Sequence, residues 1–215
     1  MRKLTVSEIL SISVLFWAFS GCSHIPHRAR VSEGLNLSGA IIQDYETAKP
    51  PETPWDDQDD ESESTEYLST EYLINLGYAS KLRNERKFMV YLNMAAAKNA
   101  RFPFMMGAGF YYQLTPDSLP FASGTGAIVL GDPLVYTMWG RKIGKSTGID
   151  LAAGFSFIPS LFFHAKLLQE FGPIQFGIIG EYRRFWGSLN FCYEGSCTYI
   201  KSESYIGIIL IPEFR

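Results

Sequence analysis

Apolar and polar positions alternate twice between Glu71 and Lys98, with a charged break in the middle. In the first run Tyr72, Ile74, Leu76 and Tyr78 fall on one side of an extended chain, and Leu73, Asn75, Gly77 and Ala79 on the other. In the second, Phe88, Val90, Leu92, Met94 and Ala96 share a side. Leu82-Arg83-Asn84-Glu85-Arg86 reverses the chain between them, so the two runs predict an antiparallel hairpin with one bulky apolar face and one small or polar face.

The same period continues downstream. Phe104, Met106, Ala108, Phe110 and Tyr112 oppose Met105, Gly107, Gly109, Tyr111 and Gln113, and Pro116 and Pro120 predict a loop over Thr115 to Gly124. Ala127 to Trp139 is apolar on both sides around Gly131-Asp132-Pro133, which makes it one bent strand or two short ones. A basic turn over Gly140 to Thr147 follows; its Gly144-Lys145-Ser146 lacks the earlier glycine of a phosphate-binding loop. Ile149, Leu151, Ala153, Phe155 and Phe157 then face away from Asp150, Ala152, Gly154 and Ser156. Beyond Pro159-Ser160, Leu161, Phe163, Ala165 and Leu167 oppose Phe162, His164, Lys166 and Glu170. Gly172-Pro173 turns the chain into Ile174, Phe176, Ile178, Gly180 and Tyr182 against Gln175, Gly177, Ile179, Glu181 and Arg183. Residues 187–204 fit a long hairpin, and Tyr205 to Phe214 closes the chain.

Upstream, Glu33 to Tyr45 predicts a first strand, and there the alternation stops. Glu46 to Glu66 holds nine acidic residues, one lysine and three prolines, so it cannot bury apolar area to offset its ordering entropy and reads as a loop. It lacks the spaced ligands and glycine of a calcium loop, so no metal site is expected. About nine runs result. Single-chain barrels prefer even numbers, giving eight if Glu33 to Tyr45 is tether or ten if Ala127 to Trp139 splits. Counting the first strand is the preferred reading.

Apolar residues make up 47% of the 215 and aromatics 15%, a composition that suits strands. The net charge of −3 conceals a split, because residues 70–215 carry fourteen Lys and Arg against ten Asp and Glu. Neither part is basic enough to point to nucleic acid. Cys192 and Cys197 flank the tip of the last long hairpin and are expected to form a disulfide in an oxidising compartment.

At the N-terminus Arg2 and Lys3 precede an apolar stretch, Ile9 to Phe19, that is short for a membrane span and suited to a signal-peptide core. It ends in Phe19-Ser20-Gly21-Cys22, which resembles a bacterial lipobox, with Phe19 in place of the usual leucine. The resemblance implies cleavage before Cys22, lipidation of that cysteine and, with Ser23 following, sorting to the outer membrane. The expected organisation is a signal peptide over 1–21, a lipidated N-terminus and polar tether over 22–30, and a β-barrel domain over 31–215 with an acidic loop at 46–69.

Two all-β architectures fit strands of this kind. In a water-soluble or membrane-tethered barrel the bulky faces point inward around an apolar ligand; in an outer-membrane barrel they meet lipid. The second faces here are mostly Gly, Ala, Ser and Asn, while Lys and Arg cluster at Lys81 to Lys87, Lys98 to Arg101 and Arg141 to Lys145. A solvated exterior needs charges along its strands, and these are scarce. Tyr72, Tyr112, Trp139, Tyr182 and Trp186 suit interfacial girdles. The pattern resembles small outer-membrane β-barrel proteins, single antiparallel up-and-down barrels of about 8–10 strands. The chain departs from that pattern in ending Phe214-Arg215 instead of on an aromatic residue. The resemblance implies outer-membrane lipids and the barrel assembly machinery as partners, an extracellular or periplasmic partner besides, and a structural or surface-interaction role.

His164, Lys166, Glu170, Glu181 and Arg183 come from two neighbouring strands and share a side. A buried histidine and carboxylate could do acid–base work in a lipid-modifying barrel, but no His-x-Ser nucleophile arrangement accompanies His164. These five residues are therefore expected to form a paired charge network filling a narrow lumen, with no catalytic residue and no cofactor. A small pore is a further alternative.

Overall fold

The computed structural model describes residues 24–49, 64–98, 104–130, 133–157, 159–193 and 196–213. Among them ten strands follow in chain order: β1 (Gly34–Lys49), β2 (Ser64–Lys81), β3 (Lys87–Lys98), β4 (Phe104–Gln113) and β5 (Phe121–Leu130), then β6 (Leu134–Ile143), β7 (Thr147–Ser156), β8 (Ser160–Phe171), β9 (Ile174–Tyr193) and β10 (Ser196–Pro212). Each pairs antiparallel with its neighbours, and β10 returns to β1, so the sheet closes into a barrel. Closure removes every edge within the wall. The hairpin between Glu71 and Lys98 forms in the expected register, with Ile74 opposite Met94 and Tyr78 opposite Val90. Its turn is a short 3-10 segment, Arg83–Glu85, closed by the Leu82 amide donating to the Arg86 carbonyl at 2.7 Å.

Several expected boundaries shift. Ala127 to Trp139 is two strands, β5 and β6, which brings the number to ten with the first strand included. The loop expected over Thr115 to Gly124 ends at Pro120, because Phe121 already pairs with Arg141. The basic turn contracts to Gly144, Lys145 and Ser146, with Gly144 in the left-handed region at φ 67°. The acidic loop expected over 46–69 is also shorter. β1 runs on to Lys49 and β2 starts at Ser64, so Glu46 stands opposite Glu66. Backbone pairing of β1 with both β2 and β10 continues past the apolar stretch, which side-chain alternation cannot reveal. Residues 50–63 lie outside the described residues.

Bulky faces point outward. Ile41, Ile74, Leu76, Val90, Leu151, Leu167, Ile178, Ile208 and Leu210 form an exposed aliphatic belt, with Ile178 56% accessible. Tyr78, Phe88, Phe121 and Phe171 are exposed on one side of it, and Phe104, Phe155, Phe157 and Trp186 on the other. Strands β4 to β8 have ten to twelve residues. At about 3.3 Å per residue and a tilt near 40°, ten residues cover roughly 25 Å, the height of an outer-membrane apolar band. This is a membrane-spanning wall of the outer-membrane type, which overturns the alternative of a water-soluble barrel with an apolar interior.

The start of β1 and the end of β10 share one mouth, the near mouth, with the turns at 82–86, 114–120, 144–146 and 172–173. Connection 50–63 belongs to the other, far mouth, where β1, β2, β9 and β10 extend well beyond their neighbours.

Candidate functional site

An eight-stranded barrel has an interior just wide enough for its own side chains. Ten strands leave more room, and here main chain occupies it. Residues 24–30, expected as a polar tether, run inside the lumen: His24, Ile25, His27, Ala29 and Val31 are all buried, Ile25 and Ala29 completely. Pro26, also buried, brings no amide hydrogen that would need a partner, and it biases Ile25 to extended backbone. The chain leaves the lumen at the near mouth through a reversal. Asn36 accepts from the Ser32 amide and donates to the Ser32 and Gly34 carbonyls, and Gly34 takes φ 89°, a region open to glycine at no steric cost.

Inside a barrel there is no sheet for this segment to join, so side chains of the wall must satisfy its backbone. Asn93 donates to the His24 carbonyl at 2.8 Å. The Glu181 carboxylate accepts from the Ile25 amide at 3.3 Å. Lys166 donates to the Ile25 carbonyl at 2.9 Å and also to that of His27. Asp150 accepts from the Ala29 amide, while the Tyr111 hydroxyl donates to the Ala29 carbonyl at 2.8 Å. At the rim Gln113 accepts from the Val31 amide and Lys87 donates to the Val31 carbonyl at 2.7 Å. Five strands, β3, β4, β7, β8 and β9, thus read the backbone of one short segment.

Side chains of the segment divide between two environments. His24 lies between Glu181, 2.5 Å from Nδ1, and Glu71, 3.1 Å from Nε2. Ring nitrogens facing two carboxylates both donate, which is the imidazolium form. Glu181 also accepts from His164 Nδ1 at 2.6 Å, so one carboxylate joins a strand histidine to a lumen histidine. Arg28 donates to Gln175 at 2.8 Å and sits 3.5 Å from Asp150. By contrast, His27 is surrounded by the rings of Tyr91, Tyr111 and Tyr136, with centroids 4.8–6.0 Å away. Its Nδ1 donates to the Arg28 carbonyl at 2.9 Å, leaving Nε2 to accept from the Tyr136 hydroxyl at 2.8 Å in the neutral ring.

Charges here balance across the two chain segments. Beside His24 and Arg28 the wall contributes three carboxylates, Glu71, Asp150 and Glu181, and the cation Lys166, while Asp44, Lys87 and Arg183 are buried farther along it. His24 and Arg28 supply the two missing positive charges. Buried charge is tolerated only when paired, so these carboxylates favour a segment that brings cations to them.

Of the expected network, His164, Lys166 and Glu181 do come together. Arg183 stands farther up the lumen, 4.0 Å from Glu203. Glu170 does not join: it lies at the near rim, part exposed, where Lys142 donates to it at 2.6 Å. The strand alternation at Glu170 is right, but it falls where the turn opens to water. Cys192 and Cys197 are register partners in β9 and β10, with their side chains outside the described residues. The stretch expected to be a signal peptide and Cys22 lie outside them as well. Glu71, Asp150 and the tyrosine cage were missed, although an excess of inward carboxylates over Lys166 was visible in the strand pattern. Among the described residues no group of three or more His, Cys, Asp or Glu side chains has a metal-holding arrangement.

At the near rim Lys87 and Gln113 donate to Asp117 at 2.6 and 3.0 Å. Partial burial opposes ionisation of Asp117, but those hydrogen bonds and the charges of Lys87 and Arg30 outweigh it and hold the carboxyl below its ordinary range.

No family model matches the chain, and no curated protein matches it significantly. Among solved structures it is similar to Neisserial surface protein A, at 13% identity and a TM-score of 0.34, covering 86% of this chain and 100% of that one. It is also similar to Ail, the attachment invasion locus protein of Yersinia pestis, at 12% identity and a TM-score of 0.27, covering 84% and 99%. The membrane assignment rests on the outer face of the barrel itself.

Proposed function

We propose that this chain is a self-plugged bacterial outer-membrane barrel that acts as a surface scaffold, not as a pore, carrier or enzyme. The occupied lumen carries this reading. A channel needs a water-filled interior and a carrier needs a vacant one, whereas residues 24–31 occupy this one from the level of Glu181 to the near mouth. Glu181, the carboxylate of the pair with acid–base chemistry, spends its hydrogen bonds on His164 Nδ1 and on the segment, while His164 Nε2 is buried without a partner among the described residues. What remains for function is the far mouth, where β1, β2, β9 and β10 rise past their neighbours and carry the acidic connection 50–63.

With an even number of strands and short turns at the near mouth, that mouth is periplasmic and the acidic connection faces outward. A cationic surface on an extracellular partner is the matching chemistry. Lipidation of Cys22 belongs to the same proposal and carries a geometric demand. Two residues reach at most about 7 Å. Glu181, which holds His24, is seven positions up β9 from Ile174 at the near mouth. Acyl chains on Cys22 would therefore sit towards the far mouth while His24 is seated.

An epitope placed at Asp59 tests the reading. Antibody should bind it on intact cells, and the purified barrel should show no steady conductance in a planar bilayer. Binding only after permeabilisation, or a stable open channel, would contradict it.

A further inference from the structure

We propose that the lumen is a binding site for an extended peptide, and that residues 24–31 are its resident, exchangeable occupant. The proposal rests on the occupied lumen and not on the surface role.

Recognition here is of two kinds. Eight hydrogen bonds from wall side chains go to backbone amides and carbonyls of His24, Ile25, His27, Ala29 and Val31. Such bonds read an extended backbone whatever its side chains. Specificity comes from a few positions. Glu71 and Glu181 select a cation with two donors at the first position, where His24 sits. The tyrosine cage selects a flat ring at the fourth, His27, and Asp150 with Gln175 selects a guanidinium at the fifth, Arg28. The sixth position must be small: a Cβ on Gly140, the neighbouring wall residue, would lie 2.7 Å from the Ala29 methyl. The ligand class is therefore an extended peptide with cations at positions one and five, an aromatic or imidazole ring at four and a small residue at six.

Wall and occupant also differ in how they are held. Every strand pairs with two neighbours, whereas the segment is joined to the sheet through the exposed Ser32 and Glu33. Cutting there would convert it into a separate ligand without touching the sheet.

The experiment uses the full chain with a site-specific protease sequence inserted between Ser32 and Glu33, folded first and cut afterwards. Native mass spectrometry should find the cut segment retained. A fluorescent synthetic peptide of residues 23–32 should then replace it, seen as a rise in anisotropy. A peptide with alanine at the positions of His24 and Arg28 should bind at least about tenfold more weakly. An uncut chain carrying H24A and R28A should admit the native peptide more readily than the unaltered chain does. The proposal is overturned if the segment departs and no peptide enters a barrel that stays folded, if a scrambled peptide binds equally well, or if cutting unfolds the barrel. Loss of exchange with conductance still blocked would overturn the peptide site alone and leave the non-conducting role standing.

Discussion

His24 and His27 are three positions apart on one segment, equally buried, and held in opposite ways. His24 is a cation between two carboxylates from β2 and β9. His27 is a neutral ring among tyrosines from β3, β4 and β6. The charged side fixes depth and register, because a shift of one residue would leave Glu71 and Glu181 without a counter-ion. The aromatic side fixes shape, since Tyr111 and Tyr136 stack nearly parallel at 6.2 Å and fill space opposite the inward glycines Gly124 and Gly126. One side of the lumen is therefore intolerant of lost partners, and the other is intolerant of lost volume.

The largest effect should come from Glu181→Ala, which strips His24, His164 and the Ile25 amide of a shared partner. Breaking a buried pair costs about 3–5 kcal/mol, so the urea midpoint of the barrel in micelles should fall sharply. A cost below about 1 kcal/mol would mean water enters the site. Next, His24→Phe and His27→Phe should diverge. The first leaves two carboxylates facing one another and should cost about 3 kcal/mol or more; the second keeps a flat ring and loses two neutral hydrogen bonds, for about 1–2 kcal/mol. Equal losses would erase the distinction between the two sides. Tyr111→Phe should cost about 1–2 kcal/mol through the unpaired Ala29 carbonyl, with stacking intact in near-ultraviolet circular dichroism.

The smallest effect belongs to Asp117, at the rim and partly exposed. Asp117→Asn should cost less than about 1 kcal/mol near neutral pH. The Asp117 carboxyl is depressed in the folded protein, so its stabilisation is complete above the ordinary carboxylate pKa and is lost as pH falls through the depressed value. The gap between variant and parent midpoints should therefore close in acid. A constant gap would assign the effect to packing.

Much of the barrel was legible because strand geometry is local. A period of two places Ile74 and Val90 on the lipid side and Asn75 and Tyr91 on the lumen side without knowledge of any other strand. What meets across a lumen is not local. His164 and Glu181 are neighbours in adjacent strands and were brought together correctly. Glu71 reaches the same cluster only through His24, and no periodicity links them. The segment itself carries two arginines and two histidines, a composition that suits a hydrated tether, and only an unpaired excess of wall carboxylate argues otherwise. The extended β1 and β2 were hidden for a related reason: Glu46 and Glu66 face each other in a ladder beyond the apolar belt, where hydrophobic alternation has no purpose.

The reversal at Gly34 joins the lumen segment directly to β1, the strand that seals the wall against β10. His24 and Glu181 are 157 positions apart in the chain. Until β9 is in place, His24 lacks Glu181, and until the segment is in place, Glu71 and Glu181 lack the cation they share. Folding should accordingly be slow and end in a single late step, in which the seam closes and the interior neutralises together.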